Sequence, residues 1–342
     1  MKTLNDIRRQ IDPCLQKNEA ERQATLEEIS KAKQLYLIPT LFLLLGLLSL
    51  SSGVFPLIGL LFFCAMVGFF IIDRFKVAPY RTNYRLNFKK KTFSTFIEAL
   101  YPGIYYAPGN YVPSCLFDKS ELFGSYDNYS GEDYFEGKTE NGCSFKFSEL
   151  SVTSTETTTD SEGHSDSTTT TVFSGLLFVL NRENRVQGRI QVLPDTAESN
   201  FGKVGKFFQK NIGAFFKGSS MVYMEGHPEF EKEFVVYSKH KEEVHRVLSP
   251  NLLQAIYDLR YKWKTRLSIS FIGHEMYVAL PTNKDFFDPD IQRSVLEDKL
   301  LQELYNELAL CFSVVEDLSL EQQPNKGVGA KRSNAKDNPF LL

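Results

Sequence analysis

Between residues 35 and 72 the chain carries no charged side chain, and this run, LYLIPTLFLLLGLLSLSSGVFPLIGLLFFCAMVGFFII, constrains the fold more than any other stretch. A hydrocarbon core about 30 Å thick takes roughly 20 helical residues. The run is nearly twice that length, so it reads as two crossings joined by a turn. The turn is written at residues 49–56, SLSSGVFP: Gly53 supplies a flexible backbone, and Pro56 suits the first turn of a second helix but not a helix interior. The spans fall near residues 33–51 and 54–72. A buried hairpin in a soluble core would have to stay apolar on every side for this length, which core helices rarely do.

The flanks orient the hairpin. Residues 73–91 hold Arg74, Lys76, Arg81, Arg85, Lys89, Lys90 and Lys91 against the single acid Asp73, and the link between the spans is uncharged. Positive flanks stay inside, so both termini are expected in the cytoplasm and the short turn outside. Residues 1–32, mixed in sign, add little discrimination, and such a polar lead argues against a signal peptide. The cluster Lys89, Lys90 and Lys91 stands where it could touch anionic lipid, although a topology signal alone would look the same.

The chain has 342 residues, and the region after the hairpin is long enough for one large core or two small ones. A formal net charge of -3 does not suit a nucleic-acid binder, whose domain would be strongly basic. Five cysteines (Cys14, Cys64, Cys115, Cys143, Cys311), odd in number and without a CxxC pair, fit reduced thiols rather than a disulfide frame or a zinc site.

Along the chain, Leu4, Ile7 and Ile11 recur at helical spacing, Pro13 interrupts, and a helix resumes toward residue 33. Residues 73–100 read as a juxtamembrane helix, basic at first and amphipathic later. From Tyr101 the texture changes to strands and turns. YPGIYYAPGNYVP is a loop or edge segment, and aromatic and polar residues then alternate on either side of the hairpin dipeptide Asn141-Gly142. Residues 172–180 are a buried strand, with a turn at 182–185 into a further strand at 186–193, about four strands in all. The polar stretch 153–171 is an exposed hairpin loop whose threonine-rich ends extend the strands. Strands at 221–225 and 234–237, helices at 242–248 and 252–261, a hairpin across residues 273–275 and a long helix over 291–312 complete a domain at 101–320. Residues 321–342 read as a polar, disordered tail. The fold class is α+β: a transmembrane helical hairpin, then a cytoplasmic antiparallel sheet with helices beside it.

Residues 200–220, NFGKVGKFFQKNIGAFFKGSS, contain no acid. At about 100° per residue Lys203, Lys206, Lys210 and Lys217 share one arc, with Phe201, Val204, Phe208, Ile212 and Phe215 opposite. Such a basic amphipathic helix binds membrane interfaces. An ordinary helix packing its Phe face on the sheet shows the same pattern.

Several motifs, SGEDYFEG (130–137), FKFSEL (145–150), VFSGLLF (172–178), VLPD (192–195), EGHPEFEKEFVVYS (225–238), VLSP (247–250), LSISFIGHEMYVALP (267–281) and VVEDLSL (314–320), together resemble the bacterial domain of unknown function 3137 family. The resemblance covers nearly the whole region after the hairpin, which is itself similar to the family's arrangement. It implies a bacterial, membrane-anchored protein and brings no activity, cofactor or catalytic residues; with the orientation of the hairpin, the expected location is the bacterial inner membrane.

For chemistry, Glu132 and Asp133 form the best acidic cluster, since paired carboxylates can do acid/base work or hold a divalent cation. Adjacent strand residues face opposite sides, so the pair is expected to diverge into a turn or surface role. His240 and His245 miss the HExxH spacing, and no GxSxG elbow, Rossmann fingerprint or phosphate loop occurs. No catalytic residue, metal or cofactor is assigned. The expectation is a membrane-anchored, non-enzymatic binding or scaffold protein. Its partners would be the lipid bilayer through Lys89, Lys90, Lys91, Phe201, Lys203, Lys206, Phe208, Lys210 and Phe215, a protein, or a second copy of the chain, and not nucleic acid. The alternative is an enzyme acting on a lipid or envelope precursor at the membrane face, with Glu132 or Asp133 in its site.

Overall fold

The computed structural model describes residues 4–49, 55–159, 165–195 and 219–320. The basic amphipathic stretch that includes Phe201, Lys203, Lys206, Phe208, Lys210 and Phe215 lies outside the described residues, as does the tail after Leu320.

Two long helical rods begin the chain. Helices α1 (Leu4–Gln34) and α2 (Leu37–Leu48) make the first. The second strings together α3 (Phe55–Ile72), a π-helical turn (Asp73–Val77), α4 (Ala78–Phe88), a second π turn (Lys89–Phe93) and α5 (Ser94–Leu100). Both rods contain a segment long and apolar enough to cross a membrane. Where α2 and α3 meet, Pro39 lies over Gly68, whose missing Cβ would stand 3.1 Å from the proline Cβ. Gly46 likewise admits Leu61 and Phe62, so small residues let the backbones approach. The outer surfaces carry exposed Leu41, Leu44, Leu48, Leu60, Phe63, Met66 and Phe70. Beyond the apolar half, α1 packs alongside α4 and α5. Pro13 does not interrupt α1, which runs through it. The ring is exposed, while Ile11 and Leu15 on either side are buried and hold the helix down.

Strands β1 (Tyr105–Ala107), β2 (Asn128–Lys138), β3 (Ser144–Thr159), β4 (Ser165–Pro194), β5 (Ser220–Val222), β6 (Phe234–Ser238) and β7 (Ser268–Pro281) form one antiparallel sheet. Its order is β1-β2-β3-β4-β6-β5, with β7 also paired to β4. Helices α6 (Ser114–Lys119), α7 (Pro228–Glu233), α8 (Lys241–Val247), α9 (Pro250–Trp263) and α10 (Asp298–Leu320) flank it. The α+β class with two apolar helices ahead of an antiparallel sheet is therefore what the chain adopts.

The continuous apolar run in β4 reflects burial on both faces. Leu176, Phe178 and Leu180 point into the main core, which they share with Ile7, Ile11, Phe93, Phe96, Leu252, Leu308 and Phe312. Leu177 and Val179 point into a second core with Phe117, Val152, Phe173 and Tyr277. The first rod thus contributes to the same core as the sheet. At Gly175 the backbone has φ +148°, and a Cβ would collide with the Leu280 carbonyl oxygen, so the β4–β7 approach requires glycine there.

Two expected turns are absent. Residues 182–185 do not reverse the chain, and Gly273 does not close a hairpin: β4 and β7 each run on as one strand, paired to each other. Their register passes from Asn181 opposite Glu275 to Val186 opposite Gly273 to Arg189 opposite Ile272, so β4 bulges outward against a shorter partner. Gly273 takes φ +61° to match. The apolar residues beyond the bulge, Val186, Ile190 and Val192, return to the main core, which favours carrying the strand on. The long C-terminal helix starts at Asp298, not near 291, because Glu19 and Arg22 of α1 capture the backbone before it.

Candidate functional site

The amphipathic phase of the second rod is broken at its second π turn. Phe88 and Lys89 are both buried there, followed by Thr92 and Phe93. A π turn accommodates an additional residue within the helix and rotates the residues after it, which is how consecutive side chains come to face inward. Of the three lysines expected to meet lipid, Lys90 and Lys91 are exposed, with Lys91 paired to Glu21 at 3.2 Å. Lys89 is 1% exposed and points into the protein.

Its partners come from β2 and from the segment 282–297 between β7 and α10. Asp133 has φ +58°, a conformation that Asp tolerates better than most residues, and it lies where the β2–β3 register slips between Glu132 and Phe135. The bulge defeats the alternation expected of a strand, so Glu132 and Asp133 converge instead of diverging. Lys89 Nζ lies 2.6 Å from Asp133 Oδ2, 2.5 Å from Asp288 Oδ1 and 3.3 Å from Glu132 Oε2. Arg85, one helical turn earlier, donates to Asp288 Oδ2 at 2.8 Å and stands 3.4 Å from Glu132 Oε2. Tyr106 on β1 donates to Asp133 Oδ1 at 2.5 Å.

Burial and the neighbouring charges pull on these groups in opposite directions. Burial pushes Asp133 up to about 6, while Lys89 and the Tyr106 hydroxyl pull it back down. It accepts from a lysine whose own pKa is raised by the surrounding carboxylates, despite its burial. Burial and the Asp133 charge drive the Tyr106 phenol far upward, so it remains a donor. Glu149, opposite Glu132 across the β2–β3 ladder, is pushed up to about 7 by burial and accepts from the Phe286 N–H at 3.2 Å.

Glu132, Asp133 and Asp288 offer oxygens within 4.8 Å of one another, a spacing that could hold a metal ion. In the structure the Lys89 ammonium meets all three carboxylates, with Arg85 beside it. Three acids against two bases make a nearly balanced ionic cluster, suited to clamping a helix onto a sheet.

Residues 171–320 match the model of a family described as a protein of unknown function, DUF3137. That segment is similar to the DUF3137 family. It supplies Asp288, and Lys89, Glu132 and Asp133 precede it, so the cluster ties the DUF3137 segment to the helical rods. No curated protein matches the chain. A solved structure, the crystal structure of the mycobacterial trehalose monomycolate transport factor A, is similar at 8% identity and a TM-score of 0.34, covering 64% of this chain and 85% of that one. A likeness that loose carries no weight for fold or function.

The DUF3137 segment grips the rods a second time. Glu19 of α1 accepts from Ser294 Oγ at 2.9 Å and from the Val295 N–H at 3.1 Å. Arg22 bonds Glu19 at 2.7 Å and donates to the Ile291 carbonyl at 2.9 Å. Arg8 donates to the Leu296 carbonyl at 2.7 Å. The Arg22 guanidinium, with Ser294 and Val295, holds the Glu19 carboxyl down to about 2. Backbone groups that a helix over 291–297 would use internally are spent on α1, which delays α10. Between the two grips Phe287, at φ +61° and fully buried, stacks on Phe93 with ring centroids 5.1 Å apart.

Sequence reasoning found Glu132 and Asp133 but missed Lys89 as their partner, and it missed Asp288, Tyr106, Glu149, Glu19 and Arg22. The one available signal for Asp288 was its place in the acid- and proline-bearing turn FFDPD.

Proposed function

We propose that the chain is a membrane-anchored binding or scaffold protein of the bacterial inner membrane. Its apolar hairpin crosses the bilayer twice, both termini lie in the cytoplasm, and the sheet domain presents itself to a protein partner or to the inner leaflet. One observation carries the reading: the second apolar helix, with its exposed apolar surface, continues without a break to a basic end locked to the sheet domain through Lys89, Asp133 and Asp288. Such an anchor holds the domain at a fixed attitude to the membrane instead of trailing it on a flexible tether. The excess of Lys and Arg after the second span supports the cytoplasmic orientation.

Protease digestion of oriented vesicles tests it. The domain after residue 100 should be degraded in inside-out vesicles and protected in right-side-out ones. Degradation in right-side-out vesicles would refute the orientation.

A second reading, an enzyme acting on a lipid or envelope precursor at the membrane surface, draws on the convergence of Glu132, Asp133 and Asp288. It requires a ligand or divalent cation to compete with Lys89 for those oxygens. Calorimetric titration of the full chain with Mn²⁺ separates the two: stoichiometric binding that Asp133→Asn abolishes would favour the enzyme, and its absence the scaffold.

A further inference from the structure

The bulge that separates the two halves of β4 turns one cation inward without an ion pair to it among the described residues. Leu176, Phe178 and Leu180 set the phase of the core-facing side, and Arg182 continues it two residues on. Arg182 is 8% exposed, and its Nε and Nη1 meet no acceptor among the described residues. Its guanidinium lies 5.2 Å over the Phe271 ring, which fixes the plane without satisfying the N–H groups. The neighbouring Arg246 is already matched by Glu243 at 2.5 Å, and the Cys143 thiol is committed to the Asn181 carbonyl at 3.0 Å. Burial and the charge of Arg246 pull Arg182 down to about 10, which leaves it a cation at neutral pH.

Arg182 lines a half-open cavity of about 110 Å³ bounded by Asn141, Cys143, Asn181 and Ser319. A water molecule's share of liquid volume is about 30 Å³, so the space suits a group of a few heavy atoms. A buried guanidinium with free donors is costly unless an acceptor reaches it, and its planar fork matches a carboxylate. Glu183 on the cavity wall adds a negative charge that disfavours a dianion.

We infer that this cavity, at the junction of the 139–143 turn, the β4 bulge and the end of α10, is a binding site for a small organic monocarboxylate held by Arg182. The site is separate from the Lys89 cluster and does not depend on the membrane reading.

The test is thermal unfolding and calorimetry of the full chain in detergent, titrated with sodium acetate, with sodium phosphate and with sodium chloride at matched ionic strength. Acetate should bind with a stoichiometry of one and raise the melting temperature saturably. Arg182→Met should abolish the effect, and Arg182→Lys should weaken binding about tenfold by losing the fork. Without ligand, Arg182→Met should melt no lower than the parent, because an uncompensated buried charge has been removed. Acetate stabilisation that survives Arg182→Met, no stabilisation by acetate in the parent, or tighter binding of phosphate than of acetate would each overturn the assignment.

Discussion

Lys89 Nζ and Asp133 Oδ2 stand 2.6 Å apart with essentially no solvent access to either side chain, one on a π turn of the helical rod and the other on a bulge of β2. Each occupies a backbone irregularity, and neither regular element would bring its side chain to the other. The pair is thus the point where rod and sheet are fitted together.

Replacing Lys89 by Met leaves a buried carboxylate without its cation, which costs about 3–5 kcal/mol. The loss should be largest near pH 8 and shrink toward pH 5, since without the ammonium Asp133 protonates more readily. The double variant Lys89→Met with Asp133→Asn should lose less than the sum of the single changes. Urea unfolding of the four proteins in a double-mutant cycle measures the coupling, and strict additivity would mean that the pair is not a coupled unit.

Stability should vary with pH in two opposed limbs. Glu149 is raised from 4.5 to about 7 and Asp133 from 3.8 to about 6. For both, the folded state holds a proton that the unfolded chain has released, so their contribution is fully present below the unfolded pKa and is lost as pH rises toward 7. Glu19 and Glu243 are lowered from 4.5 to about 2, so their contribution is present above pH 4.5 and disappears as pH falls to 2. Melting temperature against pH should therefore fall away on both sides of a maximum near pH 4.5. Glu149→Gln should flatten the alkaline limb and Glu19→Gln the acid limb. An unchanged profile in Glu149→Gln would remove Glu149 from the explanation.

If the stretch containing Phe201, Lys203, Lys206, Phe208, Lys210 and Phe215 is a second membrane contact, a version of the chain without the hairpin should co-sediment with anionic vesicles. Reversing Lys203, Lys206 and Lys210 to Glu should release it, because each basic residue near an anionic surface contributes about 1 kcal/mol. Equal sedimentation of parent and triple variant would assign the stretch to packing on the sheet.

What the sequence made legible was what depends on composition over a window or on a turn dipeptide. The apolar hairpin is written as an absence of charge, and Asn141-Gly142 announces the β2–β3 turn by its backbone preference. Features that rest on a local break in periodicity were hidden. Lys89 looks like one of three solvated lysines until a π turn rotates it inward, and Asp133 looks like the far side of Glu132 until a positive φ brings the two together. The polar residues 182–185 resemble a turn because the kink at Gly273 that complements them lies far along the chain. Each hidden feature is specified by a partner distant in sequence.

The central claim is that residues 35–72 anchor the chain while the described residues outside them fold as one body around the Lys89 cluster. The Tyr36 hydroxyl donates to Asp73 Oδ1 at 3.0 Å, so the ends of the hairpin lie together and a short Gly/Ser link can replace it. The decisive measurement is fractionation of both forms from cells, followed by circular dichroism and thermal melting of the purified proteins. The full chain should stay with membranes through alkaline carbonate washing and require detergent. The linked chain should be soluble, with the strand and helix content of the domain and a cooperative melt. A full chain recovered without detergent, or a linked chain that fails to fold, would contradict the claim by making the hairpin part of a soluble core.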